Sequence, residues 1–203
     1  MALVVNMARA IPMAPDDRRA HLLRAARSVF ASLGYHRANV AAIIDEAGVA
    51  RGTFYNYFDS KRACFQAVLA EMMEGVAAAV HPIDVTRDVP FQVRENLERL
   101  LRTLTEDDEM PRVLFAEAAG IDEEGDEGLR GFYRAATDRL ATAIRTGQSL
   151  GFVRQGDPLI MARLLLGMIR EPVFQAWLYG EQLDAEQVVL ELSGWLREGL
   201  LGA

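Results

Sequence analysis

The chain has one cysteine, three histidines and no long uncharged apolar run, and each scarcity closes off a common chemistry. Cys64 has no second thiol to pair with, so an internal disulfide is excluded and nothing asks for an oxidising compartment. His21, His36 and His81 stand far apart and Cys64 stands alone, so neither a metal site nor a cofactor is expected. A membrane-spanning helix needs roughly 18 apolar residues, and even Leu159 to Ile169 is interrupted by Arg163. Sustained two-residue alternation with β-branched enrichment is missing too, which argues against a sheet. The expectation is a cytoplasmic, all-α protein.

What is present supports a substantial core. The chain has 203 residues, of which 51% are hydrophobic and 25% charged, enough to make disorder of the whole improbable. Its formal charge of −7 hides a division. Residues 1–62 hold Arg9, Arg18, Arg19, Arg24, Arg27, Arg37, Arg51, Lys61 and Arg62 against Asp16, Asp17, Asp45, Glu46 and Asp59, a net of +4 that leaves −11 on the remainder. A basic head on an acidic body suggests a polyanion partner for the head.

Residues 1–15 lack the basic start and apolar core of a signal peptide and read as a flexible tail, with Met7 and Met13 as alternative starts to Met1. Helical spacing begins at Asp16 and recurs through about nine segments. Leu22, Leu23, Ala26, Val29, Phe30 and Leu33 share one face of a helix ended by Gly34. Asn39 caps a short helix through Ala47, with Gly48 in the turn, and a third runs from Arg51 to about Phe58. Ser60 or Asp59 caps a longer fourth. Beyond the Pro82 and Pro90 region come a fifth helix around Val93 to Leu104, a sixth from Met110 to Ala119, a loop from Asp122 to Gly128 and a seventh from about Leu129. Asp157 with Pro158 starts an eighth, to about Tyr179, and Asp184 with Gln187 resembles a capping box opening the ninth.

The stretch from Gly34 to Arg62 carries the functional signal. Two short helices joined at Gly48 describe a helix-turn-helix, whose second helix lies in the major groove of DNA. That second helix offers Arg51, Gly52, Thr53, Tyr55, Asn56 and Tyr57 to the outside, while Phe54 and Phe58 can face inward.

These residues resemble the TetR family of transcriptional regulators. The family's pattern is met by Gly34 and Tyr35, the cap Asn39, Val40, Ile43 and Ala47, the turn Gly48-Val49, the run Gly52, Thr53, Phe54, Tyr55, Tyr57, Phe58, and then Lys61. The resemblance covers about residues 16–70. Three positions depart from it: Ala50 replaces a serine or threonine cap, Ile44 a small residue, and Asn56 a frequent histidine.

The resemblance implies a helix-turn-helix DNA-binding domain over residues 16–62 and a ligand-binding and dimerisation domain over 63–203. Arg51 is the candidate for guanine, with Gly52 allowing close approach, Thr53 and Tyr55 at the groove wall, and Asn56 able to read adenine or donate to phosphate. Arg37, Asn39, Val40, Tyr57 and Lys61 complete the expected DNA surface, mostly toward phosphates. A ligand pocket would draw on Met72, Phe115, Phe132, Tyr133, Met168, Arg170 and Trp177, with Pro172 bending the eighth helix beside it. A homodimer interface would use Leu164, Leu165, Met168, Val188, Leu192, Trp195 and Leu196. The implied protein is a regulator, by family habit a repressor of a double-stranded, pseudo-palindromic operator, released by a small-molecule effector. The alternative is a helical ligand-binding or interaction module whose helix-turn-helix no longer binds DNA.

An enzyme is not expected. Gly147 to Gly151 fits the G-x-S-x-G elbow of hydrolases, but that elbow needs a strand before it and a histidine after it, and all three histidines precede Ser149. The acidic stretch from Asp122 has Glu127 and Tyr133 where a calcium loop needs glycine and glutamate.

Overall fold

The computed structural model describes residues 14–106, 108–116 and 123–199, with side chains for all of these except 114–116 and 123–129. Among the described residues every regular element is a helix: α1 Pro15–Arg37, α2 Val40–Ala47, α3 Arg51–Tyr55, α4 Lys61–Ala79, α5 Val89–Thr105, α6 Glu109–Ala116, α7 Glu123–Ser149, α8 Pro158–Tyr179 and α9 Ala185–Gly199. The tail before Ala14 lies outside the described residues. No described helix is long and apolar enough to cross a membrane.

Short polar side chains set most of the starts by accepting the free amides of a first turn. Asn39 accepts from the amide of Ala42 at 2.9 Å, Ser60 from Ala63 at 3.1 Å, and Asp157 from Leu159 and Ile160 at 2.8 and 3.2 Å. Asp184 takes the amide of Gln187 at 3.0 Å, but the Gln187 amide group turns to Glu191, so only half of the expected capping box forms. Gly48 closes α2 at φ 61°, a left-handed turn that a side chain would strain. Gly147 has a different reason: a Cβ there would meet Val153 Cγ2 at 2.5 Å, so the chain returning after α7 needs the glycine.

Several boundaries differ from the spacing-based reading. Gly34, at φ 74° and ψ 160°, breaks α1 as expected, yet one more turn follows to Arg37. α3 closes at Tyr55, and the bonds from Tyr57 and Phe58 amides to the Phe54 oxygen, both 3.0 Å, continue the chain as a turn. α5 begins at Val89, capped by Asp88, so Pro90 lies inside its first turn, where its missing N–H costs little. The stretch read as a loop is helical from Glu123 onward, with Asp122 outside the described residues. Its acidic residues fall at the start of α7, where the helix dipole favours negative charge. Residues 117–119 of the expected sixth helix also lie outside the described residues.

One core runs from the head through α4 into the body. Phe30, Phe54, Phe65, Leu22 and Ile43 are essentially inaccessible, and Phe65 meets Phe30 edge-on at 4.9 Å and Tyr35 at 4.8 Å. Each such aromatic removes enough apolar area to contribute about 1.5–3 kcal/mol. α4 continues the same face through Val68, Leu69 and Met72, placing one helix in both halves. α6 packs on α1, joined by the Arg27–Glu109 ion pair at 3.3 Å. In the body α5 lies along α9, and α7 along α8 around Ala141, Ile144, Met161 and Ala162.

Candidate nucleic-acid interface

The recognition-type surface follows from which side of α3 the core takes. Phe54 and Phe58 are buried, so one face of the segment is anchored. Arg51, Gly52, Tyr55 and Asn56 are consequently exposed, with Thr53 and Tyr57 half-buried at the edges. The Arg51 guanidinium lies 5.6 Å from the Tyr55 ring centre, a cation–π contact that holds the arginine along the helix. Nothing lies within 4 Å of where a Cβ on Gly52 would stand, so the fold itself does not demand glycine there. Ala50 provides no side-chain cap; only its carbonyl is engaged, by the Thr53 amide at 2.8 Å.

The flanking polar residues are partly committed inside the chain. Asn39 uses its Oδ1 as the α2 cap, which leaves its NH2 group facing outward at an exposed position. Arg37 is exposed and donates Nε to the Leu33 oxygen at 2.9 Å. Val40 is half-buried against the core. The Lys61 ammonium donates to the backbone oxygens of Tyr35 at 2.8 Å and Ala38 at 3.1 Å, leaving one of its three donors. It also stands 4.1 Å from the Tyr35 ring centre.

Two contacts in the head have no local sequence signal. His21 Nε2 lies 2.8 Å from the Ala47 oxygen, tying α1 to the end of α2, and Arg19 stands 5.6 Å from the Phe58 ring. Beneath them Cys64 is buried, and its thiol is pushed up to about 12 by loss of solvation, partly offset by the charge of Arg19. At neutral pH it is a packed thiol rather than a nucleophile.

The expected pocket residues are only partly gathered. Met72 sits in the core of α4, while Phe132 and Tyr133 are half-buried and touch edge-on at 5.5 Å. The Tyr133 hydroxyl is raised above its ordinary range by burial, with its neighbour Arg170 acting in the opposite sense by charge and hydrogen bond. Arg170 also lies 6.0 Å from the Phe174 ring, and Phe174 stands 5.8 Å from half-buried Trp177. Met168 packs against the core from α8. The Phe115 side chain is outside the described residues. Ser149, in the hydrolase-like pentapeptide, ends α7 and donates to the Thr146 oxygen at 2.8 Å.

The α8 and α9 residues expected at a dimer interface divide into two groups. Leu164 and Trp195 are 61% and 69% exposed, and Leu165, Met168 and Val188 are half-buried. Leu192 and Leu196 are instead buried within the chain, because α9 turns that face toward α5. Those two belong to the subunit's own core. Ile160 of α8 and Leu190 of α9, both 54% exposed, are further uncovered apolar residues outside the expected set.

Comparison with known proteins finds a family model over the head and relatives alike over about nine-tenths of the chain, in sequence and in fold. The family model described as bacterial regulatory proteins, tetR family, matches residues 22–68. The HTH-type transcriptional activator FasR of Mycolicibacterium smegmatis is 33% identical over 101 residues, 49% of this chain and 46% of that protein, so the match spans about half of FasR. The HTH-type transcriptional regulator UidR of Escherichia coli is 28% identical over 193 residues, 90% of this chain and 88% of that one. The structure of the regulator FadR from Bacillus subtilis, in complex with stearoyl-CoA, superposes with a TM-score of 0.75 over 89% of this chain and 98% of that one, at 20% identity, a likeness of fold.

Proposed function

We propose that the chain is a TetR-family transcriptional regulator, a dimeric repressor that binds a pseudo-palindromic operator and is released by a small-molecule effector. The observation that carries the DNA reading is α3 itself. It buries Phe54 and Phe58, exposes Arg51, Tyr55 and Asn56, and keeps a glycine that its own packing does not require. A polar helix face with a close-approach position suits a major groove. Arg51 serves as the base reader, Thr53, Tyr55 and Asn56 line the groove wall, and Arg37, Asn39, Tyr57 and Lys61 hold phosphates. Residues 16–62 form the DNA-binding unit and residues 63–203 the effector and dimerisation unit.

The dimer reading draws on the exposed apolar residues of α8 and α9, Ile160, Leu164 and Trp195 foremost. Surface of this kind on the two terminal helices suits a four-helix interface across a two-fold axis. The effector acts by binding the DNA-incompetent arrangement more tightly, and a coupling of about 1–3 kcal/mol changes operator affinity by roughly 5- to 150-fold. A long-chain acyl-CoA is the first effector to test, by the example of FadR.

Gel retardation with the DNA upstream of the protein's own coding region tests this reading. Specific retention that weakens with salt supports it; no retention at low salt supports the helical module that no longer binds DNA.

A further inference from the structure

The last turns of α1 come from the head, and α6 and α8 come from the body. Between them lies an open cleft of about 370 Å³, bordered by His36 and Arg37 of α1, Arg112 of α6 and Trp177 of α8. That volume is within the range of small-ligand sites, roughly 300–1,000 Å³. Its border is basic and holds no carboxylate among the described residues. Arg37 has only Nε engaged, on the Leu33 oxygen, so its terminal amino groups remain for another acceptor. Arg112 is exposed and makes no ion pair or hydrogen bond among the described residues. Two uncompensated guanidinium groups on one cleft repel each other, and an anion between them removes that repulsion while accepting charge-assisted hydrogen bonds. Trp177, half-buried and supported by Phe174 at 5.8 Å, adds an aromatic surface.

We propose that this cleft binds a small molecule that joins an aromatic ring to a carboxylate or phosphate, with the ring on Trp177 and the anion between Arg37 and Arg112. Occupancy opposes operator binding, because the ligand bridges head and body next to the Gly34 break and draws Arg37 away from the DNA backbone. The binding stands on the cleft alone; the opposition to DNA rests on the regulatory reading above.

The chain has two tryptophans, so a Trp195→Phe background leaves Trp177 as the only indole reporter. Its emission is titrated with 4-hydroxybenzoate and with AMP, which distinguish a carboxylate source from a phosphate source. Benzyl alcohol and adenosine supply the ring without the anion, and inorganic phosphate supplies the anion without the ring. At least one ring-bearing anion is expected to quench Trp177 saturably below about 1 mM, and Arg112→Ala is expected to weaken it by about tenfold, the loss of one charge-assisted contact. Because Arg112 lies outside the DNA surface, that variant keeps wild-type operator affinity but needs about tenfold more probe to release the operator. Equal response to charged and neutral rings, no response up to about 10 mM, or an unaltered Arg112→Ala titration would overturn the site. Binding that leaves operator affinity unchanged would overturn the opposition to DNA. If the protein retains no operator at all, the fluorescence titration still decides the site.

Discussion

The Lys61 ammonium lies 2.8 Å from the backbone oxygen of Tyr35 and 4.1 Å from the centre of the same residue's ring. One side chain at the start of α4 thus ties down the end of α1, through Tyr35 and through Ala38 just beyond it. Lys61→Ala is expected to lower stability by about 1–3 kcal/mol, several degrees in Tm. If the third donor also reaches a phosphate, the same change reduces the salt dependence of DNA binding by about one ion, alike for all sequences. Thermal melts and retardation across a salt series read the two effects separately. Lys61→Arg should not restore stability, since a planar guanidinium does not fit two carbonyls and a ring face as a compact ammonium does.

Gly52 gives a cleaner separation of fold from function. With open space where its Cβ would stand, Gly52→Ala should leave Tm unchanged or raise stability by up to about 1 kcal/mol, as glycine-to-alanine changes in helices do. Operator affinity should fall by about tenfold or more if the groove wall meets that position. A rise in Tm together with unaltered DNA binding would remove Gly52 from the interface.

Ala50 is a missing cap that can be supplied. Its backbone, at φ −72° and ψ 149°, already has the extended conformation of a capping residue. Ala50→Ser should add about 1 kcal/mol, raising Tm by roughly 2–4 °C. A serine that lowers Tm would show that its hydroxyl does not reach the α3 amides.

The apolar surface of α8 and α9 predicts the state of assembly. Leu164→Asp and Trp195→Asp alter exposed positions, so each chain should keep its helical circular dichroism. Sedimentation should show dimers for the wild-type protein and monomers for the variants, because a carboxylate buried in an apolar interface is strongly unfavourable. Leu192→Ala tests the corrected assignment. It should lower Tm, since Leu192 packs inside the subunit, without selectively dissociating the dimer.

Much of the architecture was legible because helix starts are written locally. Asn39, Ser60, Asp157 and Asp184 each act on amides two or three residues away, and a linear reading finds them. The exposed side of α3 was legible for the same reason, since Phe54 and Phe58 stand one turn apart. Contacts between distant positions were not. Lys61 reaches back 26 residues to Tyr35, and His21 reaches forward 26 to Ala47. Gly125 and Gly128 lower local helix propensity, yet the start of α7 is helical despite them. Leu192 and Leu196 fit an interface by periodicity alone; only the position of α5 shows which face of α9 is already covered. Arg112 and Arg37 belong to different halves, so nothing in their spacing announced a shared cleft.

The most direct test of the account is base preference at Arg51. Wild-type protein and Arg51→Ala would be titrated, at fixed salt, against the upstream operator and a set of its single-base variants. The account predicts a loss of about 1–3 kcal/mol on the preferred operator and a flattened preference at one symmetric pair of positions. Retention of both wild-type affinity and wild-type preference by Arg51→Ala would contradict it.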